Sequence, residues 1–180
     1  MKLGPVISPT AGYHPFYHLM RSERDYLVYN KGAERTLMFS RDSLSHLYVT
    51  EHFSVYELLG NCFCKEEVPE WTHPLNRVDH SYLENAIKLC HYVLEPAREL
   101  IGGPIDVNSF IRSEARNRSV GGVPTSNHLT GRAADVRPYY GCPLGDLMVA
   151  LRTVLNRLVS DGSIRNFELI LYPSFIHVAI

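Results

Sequence analysis

Apolar residues recur at helical spacing over residues 83–101. Leu83, Ala86, Ile87, Cys90, Val93, Leu94, Ala97 and Leu100 follow the rhythm of one buried helix face. Asp79 or Ser81 can cap its start, and Gly102-Gly103 its end. The pattern returns over residues 144–158, where Leu147, Val149, Ala150, Leu151, Val154, Leu155 and Leu158 are available to a core before Asp161-Gly162 turns the chain. A shorter helix is predicted from Val55 to Leu59, with Ser54 as N-cap and Gly60 as its stop, and another near residues 114–118. Pro104-Ile105-Asp106-Val107-Asn108 alternates as a strand does, and Ala133-Ala134-Asp135-Val136 is small and apolar enough for a second. Residues 167–171 and 175–178 read as a hairpin around Tyr172-Pro173-Ser174. Together these elements predict an α+β domain with a small, mainly antiparallel sheet backed by helices.

Residues 1–47 stand apart as an extension to a domain spanning residues 48–180. Pro5, Pro9 and Pro15 with Gly4 and Gly12 punctuate a Tyr/His-rich stretch, and residues 25–32 read as a strand and turn. The aromatic residues Tyr13, Phe16, Tyr17, Tyr26 and Tyr29 could pack on the main domain, contact a sugar or join a partner chain. The whole, at 180 residues, is one ordinary domain with a modest extension.

Composition mainly excludes. A net charge of -1 gives no electrostatic footprint for nucleic acid or an anionic membrane. No run of about 18 apolar residues is present to span a bilayer. The start, from Met1 to Pro9, carries one basic residue but no sustained apolar core, so no secretion signal is evident. Without one, Cys62, Cys64, Cys90 and Cys142 are expected as reduced thiols. They do not read as a structural zinc site, because C-x-C is not ribbon spacing and Cys90 falls within the predicted helix. Of the nine histidines, His14, His18, His46, His73, His80 and His91 sit in no ligand spacing.

The chemistry concentrates in Ser126-Asn127-His128-Leu129-Thr130-Gly131-Arg132-Ala133-Ala134-Asp135 and in Phe175-Ile176-His177-Val178. A histidine, a carboxylate and a second histidine are the three protein ligands of a catalytic zinc ion that keeps a fourth position for water. On one continuous helix, His128 and Asp135 would lie about 10.5 Å apart along the axis, too far to share an ion bound at roughly 2.0–2.2 Å. The chain must turn back between them, and Gly131 is the residue that permits it. Loop residues Tyr139, Tyr140 and Gly141 are placed to form a rim for a substrate cleft.

The block S-x-H-x-x-G-x-A-x-D, followed late in the chain by an aromatic-aliphatic-His-Val run, resembles the zinc D-Ala-D-Ala carboxypeptidase family of murein peptidases, in particular its small, often phage-encoded branch. Asn108-Ser109-Phe110-Ile111-Arg112 and the segment Asn117 to Pro124 are similar to that family's N-S-G-Y-R and L-N-x-x-V-G-G-V-P stretches. Upstream, Glu51-His52-Phe53-Ser54 and Val93-Leu94-Glu95-Pro96-Ala97-Arg98 are similar to its opening and its v-L-x-P-l-R helix, so the likeness covers about residues 48–180.

This resemblance implies a hedgehog/DD-peptidase-like fold whose sheet bears Zn2+ on His128, Asp135 and His177, and a peptidoglycan peptide as substrate. It implies that Arg112 stabilises the tetrahedral intermediate and that Ser126 orients substrate or the site loop. It also implies a general base shortly before the last histidine, but Ser174 stands at the E-x-x-H position and Tyr172 where related phage-type members place Glu. Glu168 is the only carboxylate on the final hairpin, and Glu114 is a second candidate. Whether Glu168 faces the metal depends on a strand register that one residue would invert.

Two functions follow from different classes. One is a zinc metallopeptidase of D,D-carboxypeptidase or endopeptidase type, cytoplasmic or virion-associated and acting on the cell wall after lysis or injection. The other is a non-catalytic zinc-binding module that recognises wall peptide or a partner protein. A purely structural role without metal is the third.

Overall fold

The helix predicted over residues 83–101 forms as one rod of three segments in the computed structural model, which describes residues 48–64 and 78–180. Helix α1, Val55–Leu59, precedes it. The rod comprises α2 (His80–Leu89), a π-helical segment (Cys90–Leu94) and α3 (Glu95–Ile101). Asp79 caps its start by accepting from the Ser81 backbone N–H, and Gly102 ends it in the left-handed region at φ 67°. Pro96 accounts for the π segment: in a straight α-helix its ring would press on the Tyr92 carbonyl. The wider turn, in which the Glu95 N–H donates to Cys90 O, relieves that contact. Cys90 is fully buried, and burial, with the charges of Glu57 and Glu95, pushes its thiol well up.

Glu95 joins two blocks that the sequence kept apart. Its Oε1 accepts from Thr50 Oγ1 at 2.6 Å and from the His52 backbone N–H at 2.8 Å, while Oε2 meets His52 Nδ1 at 2.8 Å. The loop before α1 is thereby clamped to α3. Ser54 closes a capping box with Glu57 at the start of α1.

Four strands follow: β1 (Ile105–Ser109), β2 (Ala133–Pro138), β3 (Glu168–Leu171) and β4 (Ile176–Ala179). They pair antiparallel throughout in the order β1-β2-β4-β3. Helix α4 (Glu114–Ser119) and a 3₁₀ turn (Asn127–Thr130) lie between β1 and β2, and α5 (Leu144–Ser160) lies between β2 and β3. The expected α+β architecture is the one observed. Among the described residues, no helix is long and apolar enough to cross a membrane.

The sheet has two unlike faces. Ala134 and Val136 pair with Val178 and Ile176, and all four are buried beneath α5 and the helical rod. Leu147, Ala150, Leu151, Val154 and Leu155 supply the matching stripe on α5. Val149, expected in that stripe, is 66% exposed, because two residues of helix rotate it by about 200° from Leu147. On the other face Asp135 is paired directly with His177 and with Ser109. A register shift between Val107 and Ser109 places Ser109 opposite Asp135 where uninterrupted alternation would have put Asn108.

The turn that the His128–Asp135 spacing demands is made at Gly131, at φ 70°. Its α-carbon presses on α2 so closely that an added Cβ would lie 2.0 Å from the Tyr82 carbonyl oxygen, a backbone atom that cannot yield cheaply. Gly131→Ala is therefore expected to destabilise the fold by at least about 1–3 kcal/mol from the left-handed backbone alone, with the clash added. Urea denaturation of the two proteins measures the difference.

The strand and turn expected over residues 25–32, the aromatic residues Tyr13, Phe16, Tyr17, Tyr26 and Tyr29, and His14, His18, His46 and His73 lie outside the described residues.

Candidate metal centre

His128, Asp135 and His177 reach one point from three elements. His128 sits on the 3₁₀ turn and is 2% exposed, Asp135 is the third residue of β2, and His177 is its cross-strand partner on β4. Cross-strand partners share a face with their side chains about 4.5–5.5 Å apart at Cβ, so β2 and β4 bring Asp135 and His177 together without help from a loop. His128 is brought in by the backbone: Arg112 N donates to His128 O at 3.0 Å, and Gly131 closes the turn behind it.

One carboxylate oxygen is the hub. Asp135 Oδ1 lies 2.9 Å from His177 Nδ1 and 3.2 Å from His128 Nε2, and the two imidazole rings are 5.1 Å apart between centroids. One nitrogen from each ring and one carboxylate oxygen all fall within 4.8 Å of one another. The two contacts to Asp135 come close to the roughly 3.4 Å edge of a tetrahedron with bonds of about 2.1 Å. Two imidazoles and a carboxylate form a donor set suited to zinc. These residues therefore fit a single ion.

The electrostatics suit a cation as well. Burial works against ionisation of Asp135, but its hydrogen bonds with His128 and His177 and the charges of His128 and Arg112 outweigh it, holding the carboxyl well below the usual carboxylate range. Asp135 is thus already deprotonated, as a ligand must be. Its second oxygen, Oδ2, is bound by Arg112 Nη2, and Arg112 Nε donates to Ser109 Oγ at 2.7 Å. The fork of the guanidinium spans both partners, leaving Oδ1 to the histidines. Arg112 is thereby held inside the site. Its side chain is 13% exposed, whereas Glu114 points to solvent, 3.5 Å from Arg118.

Ser126 stands at the N-cap of the 3₁₀ turn, two residues before His128, and its side chain makes no capping bond there. Glu168 occupies the same face of the sheet as His177, because Ile170 is His177's partner and Glu168 lies two residues along β3. Its Oε2 is 3.6 Å from His177 Nε2 and accepts from Asn127 Nδ2 at 3.2 Å. The loop expected as a rim goes elsewhere. Strand β2 runs on to Pro138, about 10 Å beyond Asp135, and the Tyr139 ring lies against Gly103. Tyr139, Gly141 and Cys142 line a groove with Leu100, Ile101 and Asp146 at that far end.

Three contributors carried no distinguishing mark in the sequence. The Phe110 carbonyl, 2.6 Å from His128 Nδ1, is backbone. Ser109 depends on a bulge, and Asn127 on a contact 41 residues away along the chain.

The chain matches no curated protein. A family model described as Peptidase M15 matches residues 52–179 and so takes in Arg112, Ser126, the three donors and Glu168. With most of its length matched and a metal-suited centre inside the matched span, the chain belongs to the Peptidase M15 family.

Proposed function

We propose that this peptidase is a zinc enzyme that hydrolyses peptide bonds in peptidoglycan stem peptides or their cross-links, as a D,D-carboxypeptidase or an endopeptidase. The single observation that carries the zinc assignment is Asp135 Oδ1 set between His128 Nε2 and His177 Nδ1. The substrate class rests on the likeness of the flanking segments to murein peptidases, and the same likeness points to a phage-encoded role in lysis or in the virion.

A bound zinc ion would polarise the scissile carbonyl and make a water molecule acidic at neutral pH. The chain's own groups do the rest. Asp135 and His177, on paired strands, and His128, on the 3₁₀ turn, would hold the ion. Arg112, held by Ser109 and Asp135 at the edge of that place, offers a permanent positive charge to an oxyanion developing on the substrate. Ser126, at the head of the turn bearing His128, orients the substrate or the loop.

One observation favours the alternative, a zinc-binding module without turnover: Ser174 and Tyr172 stand where the resembled family places its general base. Digestion of purified peptidoglycan separates the two. Mass spectrometry of the muropeptides is expected to show fragments shortened by D-Ala or released from cross-links, with activity lost to a chelator and restored by zinc. A protein that binds zinc yet leaves every muropeptide intact is the module.

A further inference from the structure

A histidine that binds a metal through one ring nitrogen needs an acceptor on the other, which keeps the proton there and aims the lone pair. His128 has its acceptor in the chain itself: Phe110 O lies 2.6 Å from Nδ1, so Nε2 is the nitrogen left to face Asp135. His177 is turned the opposite way. Its Nδ1 faces Asp135 Oδ1, so its Nε2 needs the acceptor, and the group beside Nε2 is Glu168 Oε2 at 3.6 Å. That separation is an ion-pair distance, and a small side-chain rotation would close it to a hydrogen bond. The same oxygen is approached by Asn127 Nδ2 at 3.2 Å.

We propose that Glu168 is a positioning residue for His177, not the proton-transferring base, and that Asn127 anchors it. The inference rests on the zinc reading and extends it outward by one layer. A carboxylate on the Nε2 side stands a whole imidazole ring away from the nitrogen that faces Asp135, and so from the point where a reacting water would be activated. It is, however, where a carboxylate fixes the tautomer and angle of the ring. Asn127 precedes His128 and Glu168 shares the face of His177, so their contact bridges the two segments that carry the histidines. The arrangement is asymmetric: the acceptor for His128 is buried backbone, while the Glu168 side chain is 57% exposed. The His177 side of the site is thus the side that substitution can loosen without disturbing the core.

The test uses the full chain, stripped of metal and titrated with zinc, then loaded with cobalt(II) for its visible spectrum. Glu168→Ala is expected to weaken zinc binding about 10- to 100-fold and to shift the cobalt bands as His177 loses its fixed angle. Glu168→Gln keeps an acceptor oxygen without the charge and is expected to fall between that variant and wild type. Asn127→Ala is expected to move affinity in the same direction by less. The acidic limb of the pH profile of kcat is expected to survive in Glu168→Gln. Wild-type zinc affinity in both Glu168 variants overturns the assignment, and if hydrolysis has then fallen by about 10² to 10⁴, Glu168 is the base. A wild-type chain that takes up no zinc overturns the proposed function, and this assignment with it.

Discussion

Asp135→Asn is expected to abolish the proposed zinc binding and to cost part of the fold. Asparagine keeps the shape and one oxygen but removes the charge that a cation needs, so zinc uptake and hydrolysis should both be lost. The second effect comes from Arg112, which packs its guanidinium on Asp135 Oδ2 with the two side chains only 13% and 11% exposed. Removing one partner from a buried pair strands the other, at about 3–5 kcal/mol. Urea denaturation of the metal-free proteins checks this. The pH dependence has a definite sign. Because the folded state holds the Asp135 carboxyl below its unfolded value of about 3.9, the ionised group contributes stability at all pH values above about 4. That contribution is lost as pH falls through the folded value. The stability gap between wild type and Asp135→Asn should therefore be full at neutral pH and close in acid.

Arg112→Lys carries the second largest expectation. Lysine preserves the charge but not the fork, so one ammonium cannot hold both Ser109 Oγ and Asp135 Oδ2 in the geometry that the guanidinium spans. If Arg112 also meets the substrate oxyanion, kcat should fall on the order of 10²–10³, with zinc still bound. Arg112→Ala separates the structural share. Without metal it leaves the buried Asp135 only its two histidine contacts, whereas a bound zinc ion would add a cation in place of the guanidinium. Thermal melts should therefore show a larger loss of stability for this variant without zinc than with it.

The fold was legible where local pattern and burial agree. The two long helices, the hairpin and the strand bearing Asp135 follow from apolar spacing, and the Gly131 turn follows from the reach of a zinc ligand. Val149 misled because it is apolar on a polar face. The loop after Asp135 misled because Ala133-Ala134-Asp135-Val136 gives no sign that the strand continues to Pro138 and carries Tyr139 away. The donors were legible as a spaced pattern, and Glu168 as a carboxylate near them, but how the neighbouring groups aim them was not. Phe110 acts through its carbonyl, Ser109 through a bulge that shifts the register by one, and Glu168 through a pairing of β3 with β4 that alternation alone leaves two ways open. Such contacts are fixed by tertiary register, which a single sequence specifies only through the whole fold.

The most direct measurement is a crystal structure of the zinc-loaded chain with anomalous data collected at the zinc edge. One strong peak is expected per chain, bonded at roughly 2.0–2.2 Å to His128 Nε2, Asp135 Oδ1 and His177 Nδ1, with room for one further ligand. A peak elsewhere, or imidazoles of His128 and His177 that share no ion, would contradict the account.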